Sequence, residues 1–228
     1  MVVAVIGAGR GVGKAVAEKF LQEGHQVLVG LLSITAEARS YWQQYGDKAT
    51  IVQTDVTREE TLVAASDFAS KNLGSLDAVI QAAGILTNGD RVNDIVHTDL
   101  QELRAMLDVN ALGLISGFRS FYPLLRRANN GIFAAITAGG GTFLMENPLF
   151  PAYVVSKAAA NKIVQTLKNT VNDVRIIAIH PGRVNTDMGR TTAEIEPEVS
   201  ATGIYDIIMR HRSLAAWFLD YNGKELPI

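Results

Sequence analysis

Val2-Val3-Ala4-Val5-Ile6-Gly7-Ala8-Gly9-Arg10-Gly11-Val12-Gly13 opens the chain. Its first residues form an apolar, β-branched run bounded by Gly7, the pattern of a strand buried on both faces of a parallel sheet. After the glycines, Val12, Ala15, Val16, Lys19 and Phe20 fall at helical spacing, and Gly24 stops the helix. Strand, glycine turn and helix N-terminus together make an anion site. The glycines let backbone N–H groups approach a pyrophosphate, and the helix dipole favours negative charge there. A glycine motif alone is weak; the flanking strand and helix make it a nucleotide site rather than a tight turn.

Working outward, further apolar runs at residues 25–31, 51–57, 76–80, 131–137, 174–179 and 217–219 read as strands. Helical patterns alternate with them. Thr57, with Glu60 three residues on, predicts a capping box after the third strand. Residues 100–128 carry one long helical pattern with Asn110 in its middle, where Asn is a poor helix former. Another helix is expected over 152–171. This alternation predicts a single-domain α/β Rossmann fold over residues 1–228, a doubly wound parallel sheet of about seven strands with helices on both faces. Ligands are then expected at the carboxyl ends of the strands. There is no internal repeat and no low-complexity tract.

Those strand ends carry polar candidates. The second strand runs into Leu31, Leu32 and Ser33, where an NAD site would place an Asp or Glu on the ribose. With no acid there, Arg10 in the glycine turn and Ser33 are placed to meet a 2′-phosphate, so NADP(H) is favoured over NAD(H). Asp55 and Val56 are expected to flank the adenine. The small residues Ala83 and Gly84, after the fourth strand, let a cofactor lie against the strand end. Pro181 and Gly182 fix a turn where the reactive ring of a cofactor is expected.

Tyr153-Val154-Val155-Ser156-Lys157 supplies the chemistry. Residues four apart share a helix face, so phenol and ammonium are neighbours, and the ammonium is expected to draw the phenol's pKa down from about 10. Such a phenol exchanges a proton with a carbonyl or alcohol oxygen.

Composition removes the competing classes. A chain of 228 residues with formal charge −2 and mixed signs has no electrostatic footprint for nucleic acid or an anionic membrane. It has no cysteine, and its four histidines are scattered without ligand spacing, so thiolate and metal catalysis are not expected. No run approaches the roughly 18 apolar residues of a membrane span, and residues 1–6 are expected not to be a signal segment, being too short and without a charged leader. A cytoplasmic protein acting on a small molecule is the expectation. Phe143, Met145 and Met188 are candidates for an adaptable apolar pocket.

Taken in order, the glycine loop, Asp55, Gly84, Asn110, Tyr153, Lys157 and Pro181-Gly182 resemble the short-chain dehydrogenase/reductase family over nearly the whole chain. The segments 180–189, 200–204 and 218–224 are most similar to its small NADPH-dependent carbonyl-reductase branch, the C-factor and sniffer type. The resemblance implies an oxidoreductase that moves hydride between a nicotinamide cofactor and a small carbonyl or alcohol. By it, Tyr153 is the general acid/base, Lys157 holds the nicotinamide ribose and lowers the phenol's pKa, and Asn110 anchors a water in a proton relay. Gly7, Gly11 and Gly13 cradle the pyrophosphate, Gly84 borders the inner ribose, Val184 and Thr186 hold the carboxamide, and Gly9, Val12 and Ala83 also bind the cofactor. A homodimer or homotetramer is also implied.

Two positions depart from the family pattern. Ala138 stands where the family has a serine whose hydroxyl polarises the carbonyl; Thr137, or else Thr142, is the candidate replacement. Gln81-Ala82 stands where two asparagines are usual. The missing serine keeps a second reading open, an NADP(H)-binding sensor or signalling protein with little chemistry. An NAD-dependent alcohol oxidase fits less well, for want of an acid after the second strand.

Overall fold

The computed structural model describes residues 1–144, 149–189 and 193–228, the side chain of Arg212 excepted; Met145 therefore lies outside the described residues. The apolar runs become β1 (Val2–Ile6), β2 (Gln26–Leu31), β3 (Ala49–Gln53), β4 (Ala78–Gln81), β5 (Ile132–Ile136), β6 (Arg175–His180) and β7 (Phe218–Asp220). Between them run α1 (Gly11–Gln22), α2 (Ala36–Gln43), α3 (Glu59–Asn72), α4 (Leu100–Leu107), α5 (Gly113–Leu125), α6 (Pro151–Thr170) and α7 (Pro197–Arg210). All seven strands pair in parallel in the order β3-β2-β1-β4-β5-β6-β7. Val3 of β1 thus sits between Val27 of β2 and Ala78 of β4. The winding reverses between β1 and β4, which opens a crevice at their carboxyl ends.

Alternation along each strand feeds two cores. Val3 and Val5 pack with Val16, Phe20, Ile204 and Ile208 of α1 and α7, while Ala4 and Ile6 pack with Leu62, Phe118, Phe121 and Val164 of α3, α5 and α6. Each large side chain removed from water here stabilises the fold by roughly 1.5–3 kcal/mol. Among the described residues no helix is long and apolar enough to cross a membrane.

Two local expectations are corrected. The long helix over 100–128 is interrupted by a π-helical turn, Asp108–Leu112, between α4 and α5. Its wider turn carries buried Asn110, 2% exposed, and such single π turns recur at functional sites. The capping box also fails: α3 starts from Arg58 without a side-chain cap. Thr57 is taken instead by Asp55, whose Oδ1 accepts from both its amide (3.0 Å) and its hydroxyl (2.6 Å). An Asx turn has displaced the cap.

The Gln81 departure has a packing solution. The side chain is fully buried and its Nε2 donates to the Gly113 carbonyl of α5 at 2.7 Å. Strand and helix are tied, and the helix comes so close that a Cβ on Gly117 would overlap Gln81 Oε1. Gly117→Ala should therefore destabilise the protein by about 1–3 kcal/mol through overpacking, read as a lower urea midpoint at unchanged m-value.

Candidate active site

α6 brings the tyrosine and lysine to the crevice. Lys157 is 4% exposed and its Nζ lies 5.7 Å from the centre of the Tyr153 ring. The ammonium donates to the Ile136 carbonyl at the end of β5, at 3.2 Å. Gly141 lets the loop after β5 press on this helix, since a Cβ there would stand 2.5 Å from the Lys157 carbonyl carbon. A Cβ placed on Gly84 would meet Asn110 Oδ1 at 3.2 Å and Lys157 Nζ at 3.6 Å. The exit of β4, the π turn and the lysine therefore converge.

Asn110 is committed to protein partners. Its Oδ1 accepts from the Ile85 amide (2.8 Å), and its Nδ2 donates to the Ile85 carbonyl (2.9 Å) and to Ser156 Oγ (2.9 Å). Ser156, fully buried, passes the link to the Tyr153 carbonyl at 2.7 Å. An amide has two N–H donors, and both are engaged by the protein.

Burial, rather than mutual attraction, sets the charges. It pushes the Tyr153 phenol up to about 12 and the Lys157 ammonium down to about 8. The expected lowering of the phenol is therefore reversed, because the ammonium is turned to Ile136 and both groups lose water. Tyr153 keeps a partly open side. His180, at the end of β6, has a buried Nδ1 without a hydrogen-bond partner, and burial lowers its pKa while Asp220, opposite it on β7, works the other way.

After β5, Ala138 brings no hydroxyl to this pair. Ala138 is buried, and its carbonyl accepts from Asn161 Nδ2 at 3.1 Å. Thr137 is 2% exposed with its Oγ1 enclosed and unpartnered, and Thr142 is buried in the glycine loop. By alternation Thr137 shares the sheet face of Phe133 and Ala135, under α5 and α6.

At the nucleotide end, Gly7 holds φ +89° and packs so closely on the β4 exit that a Cβ would stand 2.5 Å from the Ala83 amide nitrogen; a Cβ on Gly13 would overlap the Gly7 carbonyl. Gly9 is open, with only Leu31 Cδ2 at 4.0 Å from such a Cβ. Gly11 faces Thr186, whose Cγ2 would lie 3.2 Å from a Cβ at that glycine. This cradle, closed behind and open at Gly9, fits a pyrophosphate on the N-terminus of α1. Val12 is half-buried against the α1 core. Arg10, the N-cap of α1, pairs with Asp187 at 3.5 Å, both side chains exposed, and Ser33 is exposed beyond β2. Asp55 holds Thr57, and the buried Val56 side chain lies under Gly113. After β6, the Pro181 carbonyl accepts from Ser200 Oγ at 2.7 Å, Gly182 packs on Ile195 and Tyr221, and Val184 is buried in a bridge to Ile195. Among the described residues no cluster of His, Asp or Glu could hold a metal ion.

One contributor had no sequence signal: Asp90, buried, accepts from the amides of Ala152 and Tyr153. Ser156 lay inside the quoted stretch, and only its partners were missing.

A parallel α/β fold with a glycine cradle at the winding reversal, and a tyrosine and lysine one helical turn apart beside it, defines a dinucleotide-type site. A family profile described as short chain dehydrogenase matches residues 1–197, and the chain belongs to that family of oxidoreductases. It is 29% identical over 248 aligned residues to the short chain dehydrogenase gsfK of Penicillium aethiopicum, with 98% of each chain covered. The structure of NADPH-bound carbonyl reductase from chicken fatty liver matches with a TM-score of 0.86 at 22% identity, covering 100% of this chain and 94% of that one. The carbonyl reductase Sniffer of D. melanogaster matches at 0.86 and 19%, covering 100% and 98%. These two are likenesses of fold.

The buried lysine makes stability depend on pH. Its folded value near 8 lies below the ordinary 10.5, so between those values the unfolded chain holds a proton that the folded chain does not. Stability should rise by roughly 2 kcal/mol from pH 8 to 10, then turn down above pH 10 as the unfolded Tyr153 phenol ionises first. Urea midpoints across this range read the rise, and Lys157→Met should flatten it.

Proposed function

We propose that this chain is an NADPH-dependent reductase of small carbonyl compounds in which Tyr153 delivers the proton. The observation that supports it most is the convergence of Gly84, Asn110, Tyr153 and Lys157 beside an open glycine cradle. Gly7, Gly9, Gly11, Val12 and Gly13 bind the pyrophosphate, Asp55 and Val56 the adenine, Ala83 and Gly84 the inner ribose, with Pro181, Gly182, Val184 and Thr186 at the nicotinamide end. The bound dinucleotide supplies the hydride. Lys157 has three donors, of which Ile136 takes one, and the others serve the ribose. Asn110 holds the start of α6 through Ser156.

For NADPH over NADH, the support is Arg10 on the glycine turn with no acid after β2. Its exposed pair with Asp187 is worth only about 0–1 kcal/mol, so a phosphate dianion displaces the carboxylate. The chicken neighbour was solved with NADPH bound. With Thr137 enclosed, Tyr153 is the group that meets the carbonyl oxygen; the proton moves along that contact while Lys157 compensates the charge. The reading takes residues 1–228 as one domain, acting in the cytoplasm as a homodimer or homotetramer.

Ala138 favours a second reading, a dinucleotide-binding sensor with weak chemistry. The test is NADPH consumption against a panel of aldehydes, ketones and quinones, with NADH alongside. Tyr153→Phe should keep NADPH affinity and lose about 100-fold or more in kcat. Ala138→Ser, which restores a donor to the carbonyl, should raise kcat by about 10-fold or more. If NADPH binds and neither the native protein nor Ala138→Ser reduces any compound, the sensor reading replaces the reductase.

A further inference from the structure

The helix that carries Tyr153 starts without a cap of its own. Phe150, its N-cap, sits in the left-handed region at φ 58°, ψ 53°, offers no side-chain acceptor, and is followed by Pro151. Buried first-turn amides need partners from elsewhere. Asp90 provides them from a loop more than 60 residues earlier in the chain, between β4 and α4. Its Oδ1 accepts from the Ala152 amide at 2.8 Å and its Oδ2 from the Tyr153 amide at 2.9 Å, with the residue 3% exposed. The next residue reaches the other way. Arg91 Nη2 donates to the Met188 carbonyl at 2.7 Å, and its guanidinium lies 5.9 Å from the centre of the Phe150 ring. Met188 is two residues past Thr186, which faces Gly11 of the nucleotide cradle. The pair is itself anchored: the Asp90 amide donates to Thr87 Oγ1 at 3.4 Å, and that hydroxyl donates to Glu102 of α4 at 2.7 Å.

We propose that Asp90 and Arg91 form a clasp in which Asp90 is a positioning residue for the Tyr153 phenol and Arg91 positions the 186–189 turn over the nucleotide. The proposal rests on the reductase reading for its catalytic consequence, though not for its geometry. A carboxylate holding two amides, one of them the tyrosine's own, fixes the first turn in both height and rotation. Without it, the turn frays and the phenol moves away from the line between hydride and proton. Losing a simple stabilising cap would lower the melting temperature and leave the folded enzyme's turnover alone. A clasp predicts more: neighbouring residues with separable effects, Asp90 on kcat and Arg91 on nucleotide affinity.

Asp90→Asn, Asp90→Ser and Arg91→Gln in the full chain test this. Asp90→Asn keeps the size but turns an NH2 group toward an amide N–H. It should speed hydrogen exchange of the Ala152 and Tyr153 amides by about 10-fold or more. Its kcat should fall by roughly 10- to 100-fold, with NADPH affinity, read by its fluorescence, within about 2-fold of native. Asp90→Ser retains one acceptor, is the variant of choice should the asparagine form not fold, and is expected to show a smaller change in both readouts. Arg91→Gln should leave exchange at residues 152 and 153 unchanged and weaken NADPH binding several-fold. The clasp is overturned if Asp90→Asn or Asp90→Ser lowers only the melting temperature, with native exchange and native kcat, or if Arg91→Gln leaves affinity untouched. Should the native protein turn over no carbonyl, the reductase reading fails by itself, and the exchange and affinity split still decides the clasp.

Discussion

The Asn110 side chain closes a ring between three elements that the sheet alone would leave independent. It pairs with both backbone groups of Ile85 at the exit of β4, and it donates to Ser156, which in turn holds the Tyr153 carbonyl on α6. The Asn110–Ser156 bond is buried and the others partly so, so a polar atom lost from the ring would leave its partners with little water to replace it. The π turn is the backbone's contribution. An ordinary α-turn over 108–112 would rotate residue 110 relative to α5, whereas the wider turn keeps the amide pointed inward while Gly113 and Gly117 still lie against Gln81. Gln81 and Asn110 thus work as a pair of amide ties, one from strand to helix and one from strand exit to helix.

The sheet was legible because both of its faces are covered, and doubly buried parallel strands leave continuous apolar runs that need no partner to be recognised. Most boundaries moved by a residue or so, but β3 ends at Gln53 where the run was expected to reach 57, and β4 starts at Ala78 and ends on Gln81 where 76–80 was expected. Helices α2 and α7 were not anticipated. α2 has a weakly apolar sequence with only Trp42 buried, and its start rests on the Thr35 hydroxyl accepting from Ala38 at 3.2 Å. The failed capping box teaches the same lesson from the other side, since Thr57 had two possible partners and Asp55 stood nearer.

At the site, what the sequence carried was spacing, and what it could not carry was direction. Tyr153 and Lys157 share a face because four residues make a turn, yet the lysine's hydrogen bond goes to Ile136, a choice made by the approach of β5. Asn110 was recognisable as misplaced in a helix, while its full set of partners came from residues 25 positions before it and 46 after it. Asp90 had no signature at all, because an aspartate in a polar loop looks the same whether it is solvated or capping a distant helix.

The two perturbed groups bear on the proposed proton transfer. A phenol held near 12 is protonated at neutral pH, which is the form the proposed reduction would use. Alcohol oxidation starts instead from the phenolate, which at pH 7 makes up only about one part in 10⁵ of such a group. Lys157, brought down to about 8, is still mostly charged at pH 7 and becomes neutral only a little above it. Its ammonium therefore persists where the phenolate would form after proton transfer, buried beside it and short of water. Under the proposed reductase reading, that asymmetry, a reluctant base next to a cation, would suit carbonyl reduction, and Ala138 would offer no second donor to the carbonyl.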